Sequence, residues 1–502
     1  MKRILTITTL ILLAAILAAG CMSAQKTATP ASAADDLFAK AGTEFQNANY
    51  RAATTLYTLA QENYTAAGNT TAALKARDKA STSLRMFVEF PYNRSAEEQA
   101  IATTYPDVPA DRRAGWLAGS GIATIKSDGE VMYFSENVGN IGFHNPDLMQ
   151  KQTAVMNRTP LYDSLTSYTF APQNATIEPY GEPVAWDGTE MLSIPREALP
   201  KTGTFRLWIP LPVESGSQTN VTIVSVEPTR YVKSSTGTGS DLGLAYLEIP
   251  LETFNDPFLN VTARFRFVQH EQRFVIDTAK VKPYNTSDPG YIKYTTPGRN
   301  IVITPEMKKK AQDIVGNESN PYLQAQKIYW HIMDILPYSH TPHFWLDAAG
   351  IPESSYVLDT GIGDCGSQSM YFAALCRSLG IPARAVGGYQ LIPGGEGTHF
   401  WAEYYLEGYG WIPVDVTAAE TADWSYNATP EERHRFKEYY FGSLDPYRYI
   451  LQNDVDIPLT PDPGDAVMFR MVVQNPKAVC DTCDADPEID LLNNWIVTVK
   501  KV

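Results

Sequence analysis

A chain of 502 residues with 44% hydrophobic composition is too long for one compact core and reads as a multi-domain globular protein. Charged residues at 19%, aromatics at 11% and 28 tyrosines exclude disorder as the general state. A formal net charge of -15 excludes nucleic acid as a partner, because such a field repels phosphate, and it excludes polybasic attachment to anionic lipid for the same reason.

At the N-terminus, Lys2 and Arg3 precede an apolar run from Ile4 to Ala19, the pattern of a signal peptide over residues 1–20. The run is short for a membrane-spanning helix and ends in Leu17-Ala18-Ala19-Gly20-Cys21. That ending resembles the lipobox of prokaryotic lipoproteins, which implies Cys21 as a lipidated N-terminus holding the chain to the outer face of a cell membrane. An ordinary leader with an incidental cysteine, or an uncleaved anchor, are the alternatives. Residues 21–34 then read as the anchor and a flexible Ala/Thr/Ser/Pro tether. Asn-x-Ser/Thr triplets at Asn63, Asn69, Asn93, Asn157, Asn174, Asn220, Asn260, Asn285, Asn317 and, weakened by a following proline, Asn427 exceed what composition alone produces. They suit an exported glycoprotein, and with the lipobox they point to an archaeal cell surface.

Residues 35–90 have helical periodicity. Gly42, Phe45, Asn49-Tyr50, Ala53, Tyr57 and Ala60 resemble one tetratricopeptide helix pair, followed by an amphipathic stretch from Thr71 to Phe87. One such unit cannot bury its own face, so it is expected to pack on the rest of the chain. From 106 to 300, short apolar runs between Gly, Pro, Asn and Ser clusters predict strands at Gly203–Ile209, Asn220–Val226, Leu242–Ile249, Asn260–Val268 and Arg273–Ile276. Alternation in Thr262 to Phe267 places Arg264 and Arg266 on a wet face, and a β-sandwich-like domain is the expected product. Helices return at Met307–Val315 and Pro321–Leu336. The fold class is therefore multi-domain α+β, with a catalytic unit at 302–450 and a C-terminal β extension at 451–502.

The chemistry concentrates after Gly363-Asp364-Cys365. A helix opening at Cys365 and stopping at Gly380 and Pro382 would put the cysteine where unpaired N–H groups and the helix dipole lower a thiol's pKa. Downstream, Thr398–Leu406 and Trp411–Thr417 read as a hairpin through Glu407-Gly408-Tyr409-Gly410. His399 and Asp415 share a face of that hairpin only with an odd loop or a bulge, which the two glycines permit. His399 would then take the Cys365 proton while Asp415 holds the imidazole tautomer.

These residues resemble the transglutaminase-like core, a papain-related superfamily with catalytic Cys, His and Asp in that chain order. The resemblance rests on Gly-Asp-Cys365, Leu379-Gly380-Ile381-Pro382-Ala383-Arg384, His399 with Trp401-Ala402-Glu403, and Trp411-Ile412-Pro413-Val414-Asp415. It covers residues 302 to 450, including Phe441-Gly442-Ser443-Leu444-Asp445, and Leu207-Trp208-Ile209-Pro210-Leu211-Pro212 is similar to the sandwich that often precedes such a core. It implies Cys365 as nucleophile, His399 as base then acid and Asp415 as orienter, acting without a cofactor on a protein or peptide substrate. Gly366 stands where animal transglutaminases have tryptophan, which points away from protein crosslinking and toward hydrolysis. A non-catalytic surface module that binds protein or glycan is the competing reading.

Cys376, three helical turns after Cys365, is expected to be a buried structural thiol. Cys480 and Cys483 read as a disulfide, a metal fragment or free thiols. His340, His343 and Trp345 precede the nucleophile and are candidates, with Trp401, for the substrate cleft. The two histidines are alternatively a metal site or plain surface loop. Glu403 shares the face of His399 and is expected to be structural.

Overall fold

The computed structural model describes residues 30–502 except 120, 156–158, 172–178, 237–238, 425–427, 464–471, 481 and 484–493. The leader, Cys21, most of the tether, Asn157, Asn174 and Asn427 lie outside the described residues. Helix α1 (Pro30–Gln46) begins inside the stretch read as tether. Alanine is the best helix former, and Ala34 is fully buried against Ala60 and Tyr64 of α2 (Tyr50–Ala66) and Ala73 and Ala76 of α3 (Thr70–Arg85).

In the stretch from residue 106 read as strands, the first strands are a small hairpin, and the larger sheets begin only at Tyr180. Before them come α4 (Arg94–Thr104), α5 (Ala110–Trp116), a hairpin of β1 (Thr124–Ser127) and β2 (Glu130–Tyr133), α6 (Asn137–Phe143), α7 (Pro146–Val155) and α8 (Thr159–Thr169). The described residues of 106–179, read as the start of the β region, are instead mostly helical.

Strands β3 (Tyr180–Pro195), β4 (Thr204–Pro210), β5 (Gln218–Glu227), β6 (Val232–Ser235), β7 (Leu244–Pro250) and β8 (Phe258–Arg273) build two antiparallel sheets. β8 takes up Arg273, but the residues after it leave the ladder, so the run predicted to Ile276 is no separate strand. Arg264 and Arg266 are exposed while Ala263, Phe265 and Phe267 are buried, as the alternation requires. Helices α9 (Pro289–Thr295), α10 (Pro305–Val315), α11 (Pro321–Ile335), α12 (His343–Ala349), α13 (Glu353–Thr360) and α14 (Cys365–Ser378) follow. Then come β9 (Ala383–Gln390), β10 (Gly397–Leu406), β11 (Gly410–Val414), α15 (Val416–Trp424), α16 (Pro430–Tyr439), β12 (Ser443–Leu444), β13 (Arg448–Gln452), β14 (Lys477–Cys480) and β15 (Trp495–Lys501).

A third sheet, in the order β11-β10-β9-β13, carries α14 on its face, and their shared core includes Ile328, Ile332, Phe372, Leu375, Cys376, Tyr404 and Ile412. The C-terminal extension is no separate unit. β13 completes this third sheet, β14 pairs with β4 and β15 with β3. Leu192, Leu259 and Val261 from one of the first two sheets pack on Leu207, Leu247 and Ile249 of the other.

The third sheet meets β3 and β8 through a ring ladder, Tyr449 lying 4.9 Å from Phe265 and 5.3 Å from Phe267. In the same contact Tyr449 donates its hydroxyl to Glu190 Oε1 at 2.8 Å, while Glu190 Oε2 has no partner. Burial pushes this carboxyl from its ordinary 4.5 to about 8. A carboxyl raised on folding is protonated in the fold and ionises more readily in the unfolded chain, so its effect on stability is absent below 4.5. Stability is then lost as pH climbs toward 8. Glu190→Gln is expected to flatten that decline, as measured by urea midpoints across this range.

Candidate active site

Asp364 caps α14: its Oδ1 accepts the Gly366 and Ser367 N–H groups at 3.0 Å, and Ser367 Oγ accepts from Asp364 N–H at 2.8 Å. This reciprocal cap fixes Cys365 as the first helical residue. Its sulfur accepts N–H groups from Gly366 and from Phe400, the residue that follows His399 in β10. The thiol is nevertheless not lowered. An edge of the residue reaches solvent, but desolvation at the sulfur and then the carboxylates of Asp364 and Asp415 push it up, outweighing those N–H groups. The local argument from the helix start loses first to desolvation, then to the helix's own capping carboxylate Asp364 and to Asp415, which the tertiary fold brings in.

Leu406 pairs with Gly410, leaving the three-residue loop Glu407 to Tyr409, and Ala402 pairs with Val414. The odd loop carries the face of His399 across to Asp415. Strand β11 stops at Val414 rather than running to Thr417, because Asp415 caps α15 with Oδ1 on the Ala418 N–H at 2.9 Å. Its other oxygen, Oδ2, takes the Nε2–H of His399 at 2.8 Å, leaving His399 Nδ1 as the basic ring nitrogen. Both residues are buried. Opposite His399 in β9 stands Gly388, where a Cβ would lie 1.9 Å from the Tyr449 carbonyl oxygen, so only glycine lets β9 pass β13 here.

The other candidates fall elsewhere. His343 is held between two carboxylates: Nδ1 meets Glu353 Oε1 at 2.8 Å and Nε2 meets Asp364 Oδ2, beside Cys365, at 2.6 Å. Despite burial, those two carboxylates raise the imidazole well above its ordinary value, and the imidazolium in turn helps hold Asp364 down at about 2. Trp345 packs on Phe90 and Tyr356, away from the nucleophile, with its N–H on Glu89 Oε2 at 2.9 Å. Trp401 is fully buried behind the His399 ring. His340 is pinned through its backbone by Asn140 at 2.7 and 3.1 Å, with its ring against Phe143 and Tyr338. Glu403 is structural, bonded to Arg384 Nε at 2.8 Å. Cys376 is buried, and Cys480 and Cys483 form a disulfide. Asn69, Asn93, Asn220, Asn260, Asn285 and Asn317 are exposed and Asn63 partly so. Among the described residues no cluster of metal-type ligands occurs, and no helix is long and apolar enough to cross a membrane.

Sequence reasoning missed Arg448. Fully buried in β13, it reaches Asp415 Oδ2 at 2.7 Å and Asp445 Oδ2 at 2.6 Å, with its guanidinium 5.5 Å above the Trp401 ring. A lone cation in the run Tyr447 to Leu451 was the available signal.

The model of the transglutaminase-like superfamily matches residues 308–416, a segment that includes Cys365, His399 and Asp415. The chain carries a transglutaminase-like core. Over 158 residues it is 28% identical to an uncharacterized protein of Haemophilus influenzae, covering 26% of this chain and 40% of that protein. Over 72 residues it is 38% identical to a protein-glutamine gamma-glutamyltransferase of Pseudomonas aeruginosa, covering 12% of this chain and 11% of the relative. The chain thus spans well under half the length of these curated relatives. Among solved structures, one from Cytophaga hutchinsonii, named as a candidate cysteine protease, is 16% identical with a TM-score of 0.40, covering 64% of this chain and 92% of that one.

Proposed function

We propose that this is an exported, lipid-anchored transglutaminase-like cysteine enzyme that cleaves or exchanges amide bonds through a thioester, water being the favoured acceptor. The observation that carries the reading is the bond from His399 to Asp415 beside a Cys365 sulfur held by the Phe400 N–H. Because burial and two carboxylates hold the thiol protonated, the nucleophile forms by handing its proton to His399 Nδ1, with Asp415 supporting the imidazolium.

The thiolate attacks the amide carbonyl, and the oxyanion develops near the Cys365 N–H. The imidazolium then protonates the departing amine, leaving the acyl group on sulfur. His399 next deprotonates water, which releases the acid and restores the thiol. Gly366 is buried among Asp364, Phe400 and Met370 and stands where animal transglutaminases have tryptophan, so crosslinking of the animal type is not the reading favoured. The leader motif ending in Cys21 and the accessible Asn-x-Ser/Thr sites support an archaeal cell-surface address with protein or peptide substrates.

Alkylation tests the reading. Iodoacetamide is expected to modify Cys365 in the folded chain at neutral pH and Cys376 only after denaturation, mapped by peptide mass spectrometry. His399→Ala should remove the neutral-pH labelling, because the thiol then has no proton acceptor. Labelling indifferent to His399 would favour a non-catalytic binding module on the same scaffold.

A further inference from the structure

We propose that Arg448 is a positioning residue for the hydrolysis or transfer reaction, locking the Asp415 carboxylate that orients His399 and keeping it ionised. The inference rests on the cysteine-enzyme reading above, and Arg448 lies beyond the segment matched by the superfamily model.

The geometry is a closed fork. Asp415 Oδ2 receives both the His399 ring N–H, at 2.8 Å, and Arg448 Nη1, at 2.7 Å. Oδ1 is taken by the Ala418 N–H, so the carboxylate has no free rotation left. Arg448 Nη2 is held in turn by Asp445 Oδ2 at 2.6 Å, and Asp445 is steadied by the Tyr440 hydroxyl at 3.1 Å and the Tyr447 N–H at 3.0 Å. A planar guanidinium bridges two carboxylates in one plane, which a lysine ammonium cannot do. Arg448 and Asp445 are buried like Asp415, so water substitutes for none of these bonds.

Charge explains why the fork matters to chemistry. The groups facing Asp415 are His399, Arg448, Ala418 N–H and Cys365, with Tyr329, Tyr440 and Glu420 contributing through space. Of these, only His399 and Arg448 supply positive charge, and they hold the Asp415 carboxyl below its ordinary value despite burial. Without the guanidinium, Asp415 and Asp445 are two buried anions with no cation between them, and a proton binds there at higher pH. A protonated Asp415 no longer supports the imidazolium, so the acid limb of Cys365 reactivity moves up.

The experiment follows the pH dependence of Cys365 alkylation by iodoacetamide in the full chain, together with hydrolysis of a casein substrate, for wild type, R448M, R448K, R448M/D445N, D415N and C365A. The double variant removes the cation with its second carboxylate, which keeps the buried charge balanced if R448M alone fails to fold. The expected result is an acid limb raised by about one pH unit in R448M/D445N, with R448K between it and wild type. A lost packing role alone would lower the thermal midpoint without moving that limb. If D415N shifts the limb and C365A is inactive, yet R448K and R448M/D445N overlay wild type, the proposal is overturned while the enzyme reading stands. If C365A still hydrolyses the substrate, the enzyme reading itself fails.

Discussion

Cys365→Ala is expected to abolish acyl-enzyme formation completely while leaving the thermal midpoint close to wild type. The residue is partly exposed at a helix start whose cap is built from Asp364 and Ser367, and the thiol contributes only weak sulfur contacts to Gly366 and Phe400. Cys365 packs at the margin of the core, so removing its sulfur changes stability by about 1 kcal/mol. No other described thiol can replace it: Cys376 is fully buried and Cys480 is joined to Cys483. Trapping of a thioester adduct by intact-mass spectrometry checks the result, and adduct formation in Cys365→Ala would sink the assignment. Cys376→Ser supplies the contrast, costing about 1–3 kcal/mol by burying a hydroxyl among apolar groups while sparing the adduct.

Asp415→Asn is expected to have the second-largest effect, lowering turnover by about four orders of magnitude, the scale on which a serine triad suffers when its imidazole loses the correct tautomer. Three donors converge on this carboxylate, from His399, Arg448 and Ala418. An asparagine amide offers one acceptor oxygen, so its NH2 group must face at least one donor. Arg448 keeps Asp445, which limits the loss of stability to about 1–3 kcal/mol. Single-turnover kinetics with urea titration separate the two effects, and an Asn variant that lost stability but kept turnover would refute the role of Asp415.

The contrast between what local pattern reveals and what it hides is visible at single residues. The nucleophile helix was legible because its determinants are contiguous: a capping Asp364, Ser367 three residues on, and Gly380 with Pro382 as the stop. The hairpin itself was legible, but its parity was not: the four residues Glu407 to Gly410 read as loop are even in number, and it is Gly410 joining β11 that leaves an odd loop of three. The thiol's electrostatics were not legible, since the burial that desolvates the sulfur is set by packing across the chain; Asp364 beside it was in view, but Asp415 arrives from fifty residues downstream. His343 shows the same limit. Nothing near it in the sequence says that both ring nitrogens will be taken by carboxylates from α13 and from the cap of α14. The helices between Arg94 and Thr169 escaped for another reason. They are short, of seven to eleven residues, α5 buries nothing and two of the four residues α6 buries are asparagines, so apolar periodicity is too weak to separate from loop composition.

The return of the chain's last strands to two different sheets sets an order on folding. By residue 452 the sheet that carries His399 has all four of its strands. β4 waits for β14 at 477–480, and β3 waits for β15 at 495–501, partners roughly 270 and more than 300 residues away. Until those residues arrive, β3 and β4 themselves stand at the open edges; afterwards the edges pass to β15, which ends in Lys500 and Lys501, and to the four-residue β14, and short or lysine-bearing edges resist pairing with a second copy. Closure across so long a loop is slow compared with the local pairing of β9, β10 and β11. β14 and β15 thus exchange two exposed strand edges for less adhesive ones, at a distance in the chain from the site of the chemistry.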